Sequence, residues 1–405
     1  MKILQINAVY KYGSTGRTCY EMDVELNRKG HISRTIYGVG KKAAYPYGIM
    51  INSRYGAKFH SVLSRLSGLQ GYFSRYSTKR ILKFISEYNP DILHLRNLHS
   101  NFINTNMLLK YLAENDIATV ITLHDCWIYT GKCTHYTVDG CYKWQDKCGN
   151  CPKLKKDNVS WFFDRTGKML ADKKIKFLDI PRLGVVGVSN WITDEAKKSI
   201  LKNATVIKTV YNWIDMKKFM NYDDTQFYST KLGICDKFVI ISVAAVWSNR
   251  KGLDKVIELS KKIKKDEVIL LVGKVPEGMV FPSNIITFGE TESVEELAKL
   301  YCVSDCYISF SKEETFGKTV AEAQACGIPA VVYNSTALPE LVENGCGYVI
   351  NNDDELNDAI AIIRENGKDF YKSNCINNVQ KNFEMGKNID KYIEIYSHLI
   401  KLSEV

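Results

Sequence analysis

The chain has 405 residues, 45% hydrophobic and 25% charged, the make-up of a globular protein of about two domains and not of a disordered or fibrous chain. No apolar run approaches the ~20 residues that a membrane span needs, and residues 1–7 read as a first strand and not as a signal peptide, so a cytoplasmic protein is expected, with its 12 cysteines mostly reduced. The net charge of +10 is uneven: residues 1–210 carry 33 Lys+Arg against 16 Asp+Glu, residues 211–405 carry 22 against 29, and residues 26–86 hold 12 cations and no anion, which points the first half at something anionic, a nucleic acid or an acidic membrane.

Strand-like runs alternate with helical patterns, which predicts parallel α/β layers. In the first half the runs lie near 3–9, 32–37, 92–95, 119–123 and 183–188, with a further strand at 205–210. The first strand ends in the Gly-rich turn Tyr12-Gly-Ser-Thr-Gly16-Arg17 and leads into a helix over 18–28. Glycine there lets backbone approach a ligand closely, and Gly16 is the candidate, although many α/β turns need glycine for geometry alone. Over 59–73, Phe59, Val62, Leu63, Leu66, Leu69 and Phe73 share one helical face, with Lys58, His60, Arg65 and Gln70 on the other. Such a helix packs on its own core or, in acid-free surroundings, lies in a membrane interface. The strand at 119–123 ends in His124-Asp125, where an imidazole can donate to a ligand hydroxyl or phosphate. His94 and His99 flank another strand end and read as lining or core.

Next comes a cysteine cluster. Cys133, Cys141, Cys148 and Cys151 fall within 19 residues, just after Cys126, and the last two form a Cys-x-x-Cys. Gly131, Gly140, Gly149 and Pro152 mark turns, and the segment has too few aliphatic residues to bury a core of its own. One structural zinc held by the four thiolates is expected. Disulfides and unligated thiols are the alternatives, and Cys126 or His135 can stand in for one ligand.

The second half predicts strands at 239–243, 268–272, 285–288, 306–310 and 330–333. Each half therefore predicts one doubly wound parallel sheet, joined near 211–215. The strand at 239–243 runs on to Arg250-Lys251-Gly252, two cations at a strand-to-helix junction, placed to neutralise a diphosphate or else forming a solvated basic turn. The most informative stretch follows the strand at 306–310: Glu314-Thr-Phe316-Gly317-Lys318-Thr319-Val-Ala-Glu322. Glu314 falls in a strand-to-helix loop and Glu322 inside the helix. Between them the amides of Phe316, Gly317, Lys318 and Thr319 suit a phosphate. Glu322 can accept two hydrogen bonds from a ribose diol, and Glu314 would face whatever the phosphate carries. A diphosphate between two sugar groups describes a nucleotide sugar; the bland alternative is an amphipathic helix with a solvated glutamate.

The pattern Glu314-x-Phe316-Gly317-x4-Glu322, with Lys251-Gly252, His124 and the turn Cys326-Gly-Ile-Pro-Ala330, resembles the signature of the family 4 retaining glycosyltransferases. The resemblance implies the GT-B fold, two doubly wound, Rossmann-like parallel-sheet domains facing across a cleft. Its domains would be an acceptor-binding one over 1–210 with a Cys-rich insert at 126–152, a nucleotide-sugar-binding one over 211–384, and a helix over 385–405 crossing back to the first. It implies Glu314 and His124 as catalytic residues and Gly16, Arg250, Lys251, Phe316, Gly317, Lys318, Thr319 and Glu322 as donor-binding ones, with no catalytic metal. Trp213 stands where the family usually has glycine, and Ala244-Ala-Val where it has Gly-Arg, with Arg250 as the substitute cation. A similar Cys-rich insert occurs in some bacterial surface-polysaccharide glycosyltransferases. The expected reaction moves a sugar from a nucleotide diphosphate sugar, UDP-linked by family frequency with GDP left open, to a lipid-linked oligosaccharide in lipopolysaccharide or capsule synthesis. It would take place on the anionic inner face of the cell membrane. A soluble transferase making a free small glycoside or glucan is the alternative. A zinc-containing nucleic-acid-binding protein is the remote one; it leaves the donor motif unexplained, so no nucleic-acid partner is expected.

Overall fold

The computed structural model describes residues 1–40, 45–51 and 54–402. Lys41 and Lys42, two of the cations in the acid-free stretch, lie outside them. The chain divides into two compact units, Met1–Val210 with Ile389–Val405, and Tyr211–Asn388.

The first unit is built on a parallel sheet of β1 (Lys2–Asn7), β2 (Ile32–Tyr37), β3 (Gly48–Met50), β4 (Ile92–Leu95), β5 (Ala118–Leu123), β6 (Leu183–Gly187) and β7 (Val206–Thr209). Their order is β3-β2-β1-β4-β5-β6-β7. The second unit holds β8 (Phe238–Val246), β9 (Glu267–Lys274), β10 (Ile285–Phe288), β11 (Cys306–Ser309), β12 (Ala330–Tyr333) and β13 (Gly347–Ile350), also parallel, in the order β10-β9-β8-β11-β12-β13. Helices cover both faces, so the strands are buried almost continuously, as in Ile3, Leu4, Val120, Ile121, Ile240, Ile241 and Val331. The fold class is the expected one. The short edge strands β3 and β13 escaped the sequence reading because each opens on a glycine that depletes the strand signal. Both glycines are required: a Cβ on Gly48 would lie 2.5 Å from the Tyr10 ring, and one on Gly347 1.9 Å from the Ala330 carbonyl oxygen.

Two helices differ from expectation. Helix α1 (Gly13–Arg28) starts inside the Gly-rich turn instead of at 18. Helix α2 (Arg54–Ser67) ends before Gly68, whose φ is +73° and whose Cβ would lie 2.2 Å from the Phe163 carbonyl oxygen. Leu69 and Phe73 therefore do not extend its apolar face. Within α2 the buried side is the polar one: His60 and Ser64 face inward, and Gln70 just beyond is buried too. Tyr55, Phe59, Val62 and Leu66 are 84%, 67%, 44% and 39% exposed, the reverse of a helix laid on a core. The inward side is held by polar bonds, His60 Nδ1 to Ser74 Oγ at 2.7 Å and the Gln70 amide to the His99 carbonyl at 2.8 Å.

The insert at 126–152 does contribute a core, against expectation, but an aromatic one. Tyr129, Tyr136 and Trp144 are buried, with the Trp144 ring 4.9 Å from Tyr129 and 5.2 Å from Tyr136. In the first unit the closing part of helix Met385–Lys401 delivers Tyr392 and Tyr396 to the buried ends of β4 and β5, bonding Thr122 at 3.0 Å and His94 at 2.7 Å. In the second, Trp213 is wholly buried where the family resemblance has glycine.

His60 gives the fold an acid-sensitive point. Burial lowers it from 6.5 to about 4, and its Nε2 has no hydrogen-bond partner. Between those values the unfolded chain binds the proton and the fold does not, so stability falls as pH drops through the window. Chemical denaturation from pH 7 to pH 4 should show His60→Asn losing less stability than wild type, by up to about 3 kcal/mol at 1.36 kcal/mol per pH unit. Equal losses would show that His60 is free to protonate in place.

Candidate functional site

In an open α/β sheet, ligands sit beyond the carboxyl ends of the strands where the order reverses. In the second unit that point lies between β8 and β11. The turn Asn249–Lys251 follows β8 and ends at Gly252, φ +77°. A Cβ there would lie 2.3 Å from Phe310 Cβ and 2.5 Å from the Phe310 carbonyl oxygen, so only glycine lets this loop rest on the one after β11. That approach puts the Lys251 ammonium on the Glu314 carboxylate as an ion pair, the two side chains 24% and 19% exposed. Arg250 is exposed beside it, and its carbonyl accepts from the Lys312 N–H at 3.4 Å.

The Glu314 loop is also held from its far side. Its N–H donates to Thr336 Oγ1 at 2.8 Å, its carbonyl accepts from the Ala337 N–H at 3.3 Å, and the Ser335 hydroxyl donates to the Lys312 carbonyl at 2.5 Å. Thr336 takes φ +50°, uncommon for a β-branched residue. The sequence reading assigned 334–337 no place in the site; its part is to fix the Glu314 loop, which no local pattern announces.

Gly317, φ +94°, opens helix Lys318–Ala325, and no side chain caps it. The Phe316 ring is buried between Tyr211 and Phe383, with centroids 6.2 and 5.4 Å away, so only its backbone is available to a donor. The Thr319 hydroxyl pairs with that of Tyr307 at 2.7 Å. Glu322 is buried against Tyr301, whose phenol is pushed well up by burial and by that carboxylate. The structure thus gathers Glu314, Arg250, Lys251, Phe316, Gly317, Lys318, Thr319 and Glu322 on the loops after β8 and β11 and the helix that follows.

In the first unit, Gly16 lies in the first turn of α1. A Cβ there would meet Val9 Cγ2 at 3.1 Å and the Tyr10 nitrogen at 3.2 Å, so packing alone explains the glycine. His124 follows β5 and accepts, at Nε2, a hydrogen bond from Arg96 Nε at 3.1 Å. Arg96 has no exposed surface; it also donates to Gln5 Oε1 at 2.9 Å and to Thr18 Oγ1 at 3.2 Å. The Gln5 amide donates in turn to Asp23 at 2.8 Å, which accepts as well from Ser33, Thr35 and Tyr10. A guanidinium only donates, so the bonded His124 nitrogen carries no proton; the ring is neutral with its proton on Nδ1. Sequence reading missed Arg96 because its partners lie 28, 78 and 91 residues away.

His94 is a core residue, bonded on both ring nitrogens and held neutral by burial. His99 bonds Asp125 at 2.8 Å; burial works against its charge, but the carboxylate outweighs it and the net shift is upward. His99 lines a pocket of about 440 Å³ with Gly38, Lys58, Ser61, Asn101 and Asn158. Both asparagines take positive φ, 58° at Asn101 and 45° at Asn158.

Cys133, Cys141, Cys148 and Cys151 line one cavity, and the nearness of Cys151 together with burial pushes the Cys133 thiol up. Among the described residues, no three His, Cys, Asp or Glu side chains meet as a metal-holding group, and all the cysteines are free thiols.

Residues 237–366 match the family described as Glycosyl transferases group 1. The chain is 23% identical to a protein of Escherichia coli K12, provisionally named a colanic acid biosynthesis glycosyl transferase, WcaC, over 88% of this chain and 89% of that one. Among solved structures it resembles sucrose-phosphate synthase from Thermosynechococcus elongatus, with TM-score 0.72 and 14% identity over 99% of both chains. It also resembles HepE from Anabaena in complex with UDP, with TM-score 0.65 and 16% identity over 98% of this chain and 100% of that one. The chain therefore has the two-sheet GT-B fold, and its second unit carries a glycosyl transferases group 1 domain.

Proposed function

We propose that this protein is a retaining, metal-independent glycosyltransferase acting in surface-polysaccharide synthesis. It takes a sugar from a UDP-linked donor and passes it to a lipid-linked oligosaccharide at the inner face of the cell membrane. The observation that carries this reading is the Lys251–Glu314 pair beside the uncapped start of helix Lys318–Ala325. With no donor, each charge neutralises the other. A diphosphate would take over Lys251, together with Arg250 and the helix-start amides, and release Glu314 to the hydroxyls of the transferred sugar. Glu322 accepts the ribose diol. His124, neutral and donating from Nδ1, is the second group assigned to the sugar. Lysine and arginine supply the positive charge that a leaving diphosphate needs, which is the role a divalent cation plays elsewhere.

The UDP donor is supported by the HepE complex, and the polysaccharide setting by the relative named for colanic acid biosynthesis. A lipid-linked acceptor is further supported by α2, which exposes Tyr55, Phe59, Val62 and Leu66 while its Lys58 lines the pocket that holds His99. That pocket suits an anionic head group, and the apolar face suits acyl chains. No helix among the described residues is long and apolar enough to cross a membrane; the attachment proposed is a peripheral one through α2.

Glu322→Ala should weaken UDP binding by roughly 10- to 150-fold, the worth of a charge-assisted pair of about 1.5–3 kcal/mol. Calorimetry on the folded variant that gave wild-type affinities for both UDP and GDP would remove Glu322 from the donor site. Arg96→Met keeps the volume but removes the Arg96 hydrogen bond to His124 Nε2. It should cut turnover by at least about ten-fold, 1.4 kcal/mol, with UDP affinity unchanged; unaltered turnover would separate His124 orientation from the reaction. The protein should sediment with vesicles containing anionic lipid and come off as salt rises. Lys58→Glu with Arg65→Glu should release it, at roughly 1 kcal/mol per basic residue. A double variant that still sediments would place the lipid contact elsewhere.

A further inference from the structure

We propose that the groove between helices α3 (Arg75–Tyr88), α4 (Thr105–Glu114) and α5 (Thr166–Leu178) of the first unit binds an acidic oligosaccharide, a stretch of glycan that carries carboxylate groups. That the polyanion is a glycan rests on the polysaccharide reading above; the charge and size of the groove stand without it.

The groove has a volume of about 670 Å³ and shares no lining residue with the pocket that holds His99. Sites for organic ligands span roughly 300–1,000 Å³, so it offers far more room than a single phosphate needs. Arg75, Lys79, Lys110 and Lys176 line it, and no acidic side chain does. Arg75 and Lys79 are exposed and stand one turn apart on α3, whose first turn holds no acidic residue. Among the described residues neither has a carboxylate partner. Like charges at that spacing repel each other, so the pair weakens the helix and the surrounding fold does not offset it.

The acids close by are already engaged. Asp172, outside the lining, accepts from the Tyr72 hydroxyl at 2.6 Å and from Lys168 Nζ at 2.9 Å. Glu114 meets Lys110 at 3.5 Å in an exposed pair, which contributes little. Lys176 donates to the Asp172 carbonyl at 3.4 Å. The balancing charge for this groove must come from outside the chain.

Two tyrosines distinguish a glycan from a bare ion. Tyr72 and Tyr76 also line the groove, and Tyr76 is 78% exposed. An exposed ring presents a face of negative potential that the C–H face of a pyranose can cover, while carboxylates along the chain meet the cations. Held on the unit assigned to the acceptor, such a chain raises the effective concentration of its own end there.

The test titrates the full chain with a hexamer of galacturonate, with neutral maltohexaose as the control. The acidic hexamer should bind at least about ten-fold more tightly than the neutral one, and the difference should shrink as salt rises. Arg75→Gln with Lys79→Gln should weaken the acidic hexamer by at least about ten-fold, and Tyr76→Ala by about five-fold. UDP affinity and sedimentation with anionic vesicles should match wild type in both variants. Equal affinity for the two hexamers, or a double variant that binds oligogalacturonate as wild type does, would overturn the proposal. Loss of vesicle binding in the double variant would assign the groove to lipid instead. Tighter binding of single-stranded DNA, lost in the same variant, would assign it to nucleic acid. A wild-type chain that fails to bind UDP strikes the transferase reading and leaves the oligogalacturonate titration standing.

Discussion

A parallel strand needs a crossover to reach its neighbour, and here the crossovers cover both faces of each sheet with helices. Side chains along the strands are therefore spent on packing, and chemistry is left to the loops at the carboxyl ends. The constraint sharpens at the reversal points. Beside β1 and beside β8 the chain departs in two directions, and the loops that follow must approach each other without closing the gap. Gly252 permits that approach in the second unit, with backbone so near Phe310 that any side chain would collide. The placement of Lys251 against Glu314 depends on it.

The two units keep charge at these points by different means. In the second, a partly exposed lysine and glutamate neutralise one another directly, an arrangement that an incoming anion can take apart. In the first, Arg96 is wholly buried and meets its negative counterpart, Asp23, only through the Gln5 side chain. Burying an ion without satisfied hydrogen bonds is strongly unfavourable, so Gln5, Thr18 and His124 each complete part of the guanidinium's set. The result is a fixed neutral tautomer at His124. Gln5, a polar residue that looks misplaced inside the buried strand β1, is accounted for by that chain of bonds.

Helix α2 shows how composition alone misleads. Its apolar residues follow helical spacing, and a core-facing stripe was one of two readings that spacing allowed. The neighbouring segment instead offers Ser74, and nearby Gln70 reaches the His99 carbonyl, so the polar face was drawn inward and Tyr55, Phe59, Val62 and Leu66 were left outside. The insert carries a related lesson. Few aliphatic residues suggested no core, yet Tyr129, Tyr136 and Trp144 stack into one.

The sequence by itself determined what depends on neighbours a few residues apart. The alternation of strands and helices, the parallel two-sheet class, the Gly317 helix start and the spacing of the four cysteines are all written in local periodicity and turn chemistry. Only the tertiary structure decided which distant groups meet. Lys251 and Glu314 are 63 residues apart, Arg96 and Gln5 91, and the Thr336 hydroxyl reaches Glu314 across 22. Such pairs depend on the order in which strands lie in the sheet and on how closely two loops can approach. A one-dimensional pattern holds no distance between them.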